Sequence, residues 1–282
     1  MLIRTLAALL IAASPVIDLP LAHPRPAAAE APQPAVAELM RATALDVVFS
    51  QFSATIASSA RAEDISRDEI FLRHWEVTAR TVFNANTLHR RLARALEGTF
   101  SAEEEGTLRG FFDSELGQRM TRLERDAALL GPTAQHAAIS RGEMLLDSAS
   151  VIRVTQVDRL MELVSAEMSA AMVGQSVRAL LLGLSVAQQR GDISVPWQEI
   201  DTQVQAMMPG LMGEIARTQR AMMTYAYRDL TDAELDIYVE FLATPAAQNF
   251  YAAAAYAVGR IVAESMSEFG SSLARRMKRI NV

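Results

Sequence analysis

The sequence predicts an all-α protein, and three observations predict it. From Pro34 onward apolar residues recur at steps of three and four almost everywhere, while β-branched runs with period-two alternation are absent. Of 282 residues 50% are hydrophobic, enough to bury the core of one large domain or two modest ones. Blocks that start helices recur at a fixed spacing, which divides the chain into two similar halves. The expected architecture is two tandem four-helix units, each long, long, short, long, forming a helical bundle. A leader occupies 1–29, a first helical repeat 30–152 and a second 153–282.

The leader comes first. Met1 to Arg4 is a short cationic start, Leu6 to Ala13 is unbroken and apolar, and a proline-broken segment ends in Ala27, Ala28 and Ala29. That order reads as a cleavable secretory signal peptide. The apolar run stops at Ser14 and Pro15 and meets Asp18 and Pro20, short of the roughly 20 residues a membrane-spanning helix needs. Cleavage is expected before Glu30, or after Ala31. Later apolar runs, Ala179 to Ala187 and Phe250 to Gly259, are also too short to span a bilayer.

Each half opens on an apolar stripe. Val36, Leu39, Met40, Leu45, Val48, Phe49, Phe52 and Ile56 form the first, and Val157, Leu160, Met161, Val164, Met168 and Met172 the second. Val36, Leu39 and Met40 superpose on Val157, Leu160 and Met161 at an offset of 121. Further on, Phe100 to Glu104 matches Leu230 to Glu234, and Phe111, Ser114 and Gln118 match Phe241, Thr244 and Gln248, now at 130. The copies therefore differ by a nine-residue insertion. Ser101 with Glu104, and Thr231 with Glu234, each supply the hydroxyl and carboxylate of a capping box, so both sites start a short helix. Leu230 and Leu235 have the spacing of a hydrophobic staple. Ser114 and Thr244 then cap the next, long helix, with Pro245 at a first helical position where its missing N–H is harmless. Breaks are expected around Arg61 to Ser66, Gly98 to Ser101, Gly131-Pro132, Arg190 to Pro196 and Asp229 to Thr231, with a kink at Pro209-Gly210. The last rod runs from Pro245 to about Arg279, its stripe being Ala255, Val258, Val262, Met266, Phe269, Leu273, Met277 and Ile280.

The block Phe100-Ser101-Ala102-Glu103-Glu104, followed by Phe111-Phe112, Ser114 and Gly117-Gln118, resembles the signature of the domain of unknown function family numbered twenty fifty-nine. These are exported helical proteins of Gram-negative bacteria. The second copy resembles it through Leu230-Thr231, Glu234-Leu235, Phe241, Thr244-Pro245 and Gln248, but has Ala247 for the glycine and Leu242 for the second aromatic. The resemblance covers roughly the C-terminal third of each half. It implies a periplasmic location and a helical fold, and brings no activity or catalytic residue to transfer.

Chemistry is harder to find. With no cysteine there is no disulfide, thiolate nucleophile, Cys-ligated zinc, iron–sulfur cluster or lipid-bearing cysteine. A formal charge of −6 argues against general nucleic-acid binding. Once the leader removes His23, the histidines are His74, His89 and His136. His74 and Glu76 face opposite sides of a helix, and His89 lies about 22 Å further along the axis, so no metal is shared within one helix. Glu103, Glu104 and Glu105 are explained by the exposed N–H groups of a first helical turn, as are Asp232 and Glu234. Nucleophile elbow, phosphate loop and dinucleotide fingerprint are absent, and the single lysine, Lys278, belongs to no serine–lysine motif. Gly106 and Gly110, four apart, suggest a close helix contact. The sequence thus assigns no catalytic residue, cofactor or metal, and the expectation is that the protein is not an enzyme.

Two features remain. The 14 methionines cluster at Met161, Met168 and Met172, at Met207, Met208 and Met212, and at Met222 and Met223. Methionine fills irregular helical cores. The alternatives are an adaptable apolar groove, with Met161, Met168, Met172, Met208 and Met212 as its candidates, or a soft Cu(I) site. Arg275, Arg276, Lys278 and Arg279 complement the dipole at the end of the last rod, or contact anionic lipid or an acidic partner. The functional expectation is a module that binds an unidentified protein partner or apolar ligand in a seam between the halves. The alternatives are a structural or envelope-stress protein without a small ligand, a Cu(I) binder, or an unfamiliar enzyme. An open seam would favour a binder and a filled one a structural protein.

Overall fold

A computed structural model of the chain describes residues 34–62, 66–163 and 197–278. The leader, Val164, Met168, Met172, the break at Arg190 to Pro196, Arg279 and Ile280 lie outside them. All regular structure among the described residues is helical, as the periodicity predicts. The α-helices are α1 (Pro34–Ala42), α2 (Phe52–Ala62), α3 (Glu69–Val82), α4 (Ala85–Leu96), α5 (Ala102–Phe112), α6 (Glu115–Ala128), α7 (Pro132–Asp147), α8 (Val151–Leu163), α9 (Trp197–Ala226), α10 (Asp232–Leu242) and α11 (Pro245–Lys278).

The long rods expected in the first half are each divided. The stripe from Val36 to Ile56 is interrupted after Ala42, where Ala44 takes φ 57° and a single 3-10 turn spans Leu45–Val47. Side chains of α6 make the difference. Thr121 Oγ1 donates to the Ala42 carbonyl, and Arg125 donates to the Arg41 carbonyl at 3.0 Å while gripping Asp46 at 2.7 Å. Carbonyls that a continuing helix would need are capped by a distant helix instead. The apolar stripe is still used: Val36, Leu39, Met40, Leu45, Phe49, Phe52 and Ile56 are all buried. A second break separates α3 from α4, where Asn84 Oδ1 accepts the Thr87 N–H at 3.1 Å and Phe83 turns into the core. The third falls at Gly131-Pro132, as expected, with Pro132 at the first position of α7. In the second half α9 runs through Pro209 and α11 is unbroken for 34 residues.

The packing crosses between the halves. Among the described residues α7 makes its most extensive contact with α9, and α11 lies along α3, α4 and α5. Each half thus gives its last helix to the other. Phe269 of α11 sits with its ring centre 4.7 Å from Trp75 of α3, edge to face, and 5.6 Å from Phe83. The Trp75 indole N–H donates to the Ile56 carbonyl at 2.7 Å, so this large apolar ring carries no unpaired polar group. One core cluster runs from Val36 to Leu273 without dividing between halves. The stripe of α11 is buried at Ala255, Val258, Val262, Met266, Phe269 and Leu273.

Two close approaches set the geometry. A Cβ on Gly142 of α7 would lie 1.9 Å from the carbonyl oxygen of Ala221 in α9, so only glycine lets these backbones meet. A Cβ on Gly117 would lie 2.1 Å from the Phe111 carbonyl, which fixes the turn from α5 into α6. Gly106 and Gly110, by contrast, have nothing within 4 Å of a built Cβ. The close contact suggested by their spacing is not made there, because both face away from neighbouring helices.

Candidate functional site

The residues singled out by the repeat meet at the joint between halves. At α5, Ser101 Oγ accepts the Glu104 N–H at 3.2 Å and Glu104 Oε2 accepts the Ser101 N–H at 2.8 Å. At α10, Thr231 and Glu234 repeat the box with the same two distances. The second oxygen of each glutamate reaches across. Glu104 Oε1 accepts from Asn249 Nδ2 at 2.6 Å, and Glu234 Oε1 accepts from Arg119 Nη1 at 2.6 Å. Asn249 and Arg119 stand at the same offset as the two glutamates, so the contacts are reciprocal, as across a two-fold axis. Both carboxyls are held below their ordinary range, Glu104 first by the Asn249 amide and Glu234 first by the Thr231 N–H.

Aromatic rings pack in the same joint. Phe111 and Phe241, also equivalent, stack with centres 3.8 Å apart and planes 6° from parallel, and Phe112 meets Phe241 edge to face. Phe100 packs on Phe250 at 5.4 Å, and Leu230 is buried. Ser114 and Thr244 cap α6 and α11, accepting from the N–H groups of Gly117 at 3.1 Å and Ala247 at 3.3 Å, with Pro245 in the first turn of α11. Phe100, Ser101, Glu104, Phe111, Ser114 and Gly117, with Leu230, Thr231, Glu234, Phe241, Thr244 and Pro245, therefore cap a helix, hold a turn or pack in this joint.

Sequence reasoning missed a carboxyl in the same joint. Glu124 Oε1 accepts the hydroxyls of Tyr227 and Tyr238, each at 2.7 Å, and the Tyr251 hydroxyl lies 3.4 Å from that of Tyr238. One side chain of α6 thus ties the end of α9 to α10, and Tyr238 passes the contact on to Tyr251 of α11. Burial pushes the Glu124 carboxyl upward, opposed by the two donated hydrogen bonds, and burial beside that carboxyl pushes all three phenols up. A signal existed: Glu124 lies one turn beyond buried Met120, on the α6 face where Leu116, Leu123 and Ala127 meet the core.

The histidines do not converge. His89 Nε2 accepts the Phe49 N–H at 3.3 Å and its ring packs on Phe49, with burial lowering its pKa. His136, exposed on α7, has its Nδ1 2.7 Å from the Pro132 carbonyl. His74 is half-buried on α3. Among the described residues no group of three or more histidines and carboxylates could hold a metal ion, and no helix is long and apolar enough to cross a membrane. Of the proposed methionine groove, Met161 is half-buried on α8, Met212 packs against the core and Met208 falls within α9.

Surface clefts among the described residues include two of about 260 Å³ each. One lies between α3 and α11, lined by threonine, serine and arginine side chains. The other sits where α7 turns into α8 and is lined by Leu145, Ser150, Arg153, Val157 and Tyr227. Arg153 is spent there, donating to the Leu230 carbonyl and pairing with Asp232 at 2.7 Å. Next in sequence to the residues lining this cleft are large exposed apolar side chains: Val151 at 83%, Ile152 at 60% and Met144 at 54%. No family model, curated protein or solved structure matches this chain.

Proposed function

We propose that this chain is an exported, non-enzymatic helical module, built by duplication of one helical template, that docks a protein partner at the corner between α7 and α8. The observation that carries the reading is the exposure of Met144, Val151 and Ile152 on the two helix ends whose neighbouring residues Leu145, Ser150 and Arg153 line a cleft. Exposed apolar side chains gathered around a concavity suit an apolar anchor residue of a partner. The stacked rings of Phe111 and Phe241 fill the joint between the halves, which favours a partner at the surface over an apolar ligand between them. The reciprocal contacts of Glu104 and Glu234 support the duplication. Periplasmic residence follows from the leader and from the resemblance to family twenty fifty-nine.

The filled joint also favours a second reading, a structural envelope protein that needs no small ligand. Site-specific photocrosslinking in intact cells separates the two. A crosslinking residue in place of Ile152 should give a discrete adduct, lost when Met144 and Val151 are made serine, whereas one in place of exposed Ile237 on α10 should not. Equal labelling from both positions, or none, would sink the docking proposal and leave the structural reading.

A further inference from the structure

The cleft between α3 and α11 is chemically unlike the corner just described, and independent of it. Its α11 wall carries Glu268, Ser272, Arg275 and Arg276, and its α3 wall Thr78, Thr81 and Val82. Arg276 is half-buried and makes no hydrogen bond or ion pair among the described residues. Among the described residues Arg275 donates to Ser272 Oγ, at 2.9 Å. That bond uses a lone pair of the serine, so the Ser272 hydroxyl proton is left to donate into the cleft.

Cross-helix arginines elsewhere are neutralised: Arg109 by Glu38 at 3.2 Å, Arg119 by Glu234 at 2.6 Å, Arg125 by Asp46 at 2.7 Å. Here two guanidiniums face one space with a single carboxylate, Glu268, which forms no ion pair among the described residues, so the described lining carries a net positive charge. The chain as a whole is acidic at −6, so attraction of an anion must come from this local cluster and not from the general field. Planar guanidinium forks match the oxygens of a phosphate, and a hydroxyl donor completes the set.

We propose that this cleft binds a single phosphate group, held by Arg275, Arg276 and the Ser272 hydroxyl, presented either as free phosphate or as the headgroup of a phospholipid. Val77 and Ile70 stand exposed on the same face of α3 as Thr81, one turn from it and about 16 Å from it respectively, so an apolar track runs along α3 away from the cleft. That arrangement places apolar side chains where lipid chains would follow a bound headgroup.

The test uses the mature full-length protein at physiological salt, where diffuse surface attraction is screened. Inorganic phosphate is titrated calorimetrically, and flotation is compared on phosphatidylglycerol and phosphatidylcholine vesicles. Binding to at least one phosphate probe is expected, weakened about tenfold or more in Arg275→Gln/Arg276→Gln, because each guanidinium contributes charge-assisted hydrogen bonds. Glu268→Gln should tighten the same binding severalfold by removing the one repelling charge. Binding to phosphate alone identifies the free ion as ligand. Flotation that also needs Val77 and Ile70, tested as asparagine variants, identifies the lipid. All these positions are at the surface, and unchanged far-UV circular dichroism checks that each variant folds. Absence of binding to both probes, or binding that ignores Arg275 and Arg276, overturns the proposal.

Discussion

Glu124 illustrates what one residue can impose on this molecule. Its carboxyl is buried against three tyrosines, and two of their hydroxyls share one of its oxygens. Burial raises its folded-state pKa above the unfolded value of about 4.3. The sign of the linkage follows. The folded state holds the proton more tightly, so the contribution of this group is fully present below the unfolded pKa and is lost as pH rises through the folded one. Glu124→Gln keeps an acceptor oxygen for both phenols and removes the charge. Relative to the parent, its melting temperature should therefore rise as pH is taken from about 4 towards 7. Glu124→Ala should instead lose stability at every pH, about 1–3 kcal/mol for each buried hydroxyl left without an acceptor. Parallel thermal melts of the three proteins across that range check this, and a pH-independent difference between Gln and parent would refute it. The carboxyl was legible as an acidic residue on an apolar helix face, but its partners were not, since Tyr227, Tyr238 and Tyr251 lie more than a hundred residues further along the chain.

At the scale of elements, local chemistry was readable wherever a helix end is satisfied by its own neighbours. Ser101, Ser114, Thr231 and Thr244 cap as their spacing requires, because each bond closes within three residues. The end of α1 was not readable, because its carbonyls are satisfied by Thr121 and Arg125 from α6, about eighty residues away. Small residues mislead for the same reason. Spacing favoured Gly106 and Gly110, whereas the approach is at Gly142, and only the facing helix decides which glycine is needed. Gly142→Ala drives a methyl into the Ala221 carbonyl, so α7 and α9 must separate along their most extensive contact. Overpacking of this kind costs about 1–3 kcal/mol. Gly106→Ala adds the same methyl to an α5 position with open space and should stabilise by up to about 1 kcal/mol through helix propensity. Urea titration of both variants reads the contrast, and equal effects of one sign would show that backbone contact is not what the α7 glycine provides.

The whole molecule is where pattern reading reached its limit and where packing decides behaviour. The all-helical class follows from periodicity over nearly every segment, and the matched blocks at an offset of 130 each start a short helix. What periodicity does not carry is which apolar stripe meets which. A stripe states only that a face is buried, and the stripe of α11 would serve equally on a partner within its own half. In the folded chain it lies on α3, α4 and α5 of the other half, with Phe269 set against Trp75 and Phe83, while α7 crosses the opposite way to α9. Unfolding one half alone would therefore strip the core from both: withdrawing α11 exposes Trp75, and withdrawing α7 exposes the buried face of α9. The cost of such a partial state is close to that of complete unfolding, so the two halves should unfold together despite their tandem order. In a Trp197→Phe background the fluorescence of Trp75 reports the first half alone, and far-UV circular dichroism reports all helices. Both signals should follow one denaturant midpoint, and a calorimetric scan should show one peak whose calorimetric and van't Hoff enthalpies agree. Phe269→Ala, although it lies in the second half, should shift the Trp75 transition and the helical transition by the same amount, with a loss of about 3–5 kcal/mol expected for a fully buried phenylalanine. Two resolved transitions, with Trp75 insensitive to Phe269, would show that the halves are thermodynamically separate and that the exchange of last helices contributes little to holding them together.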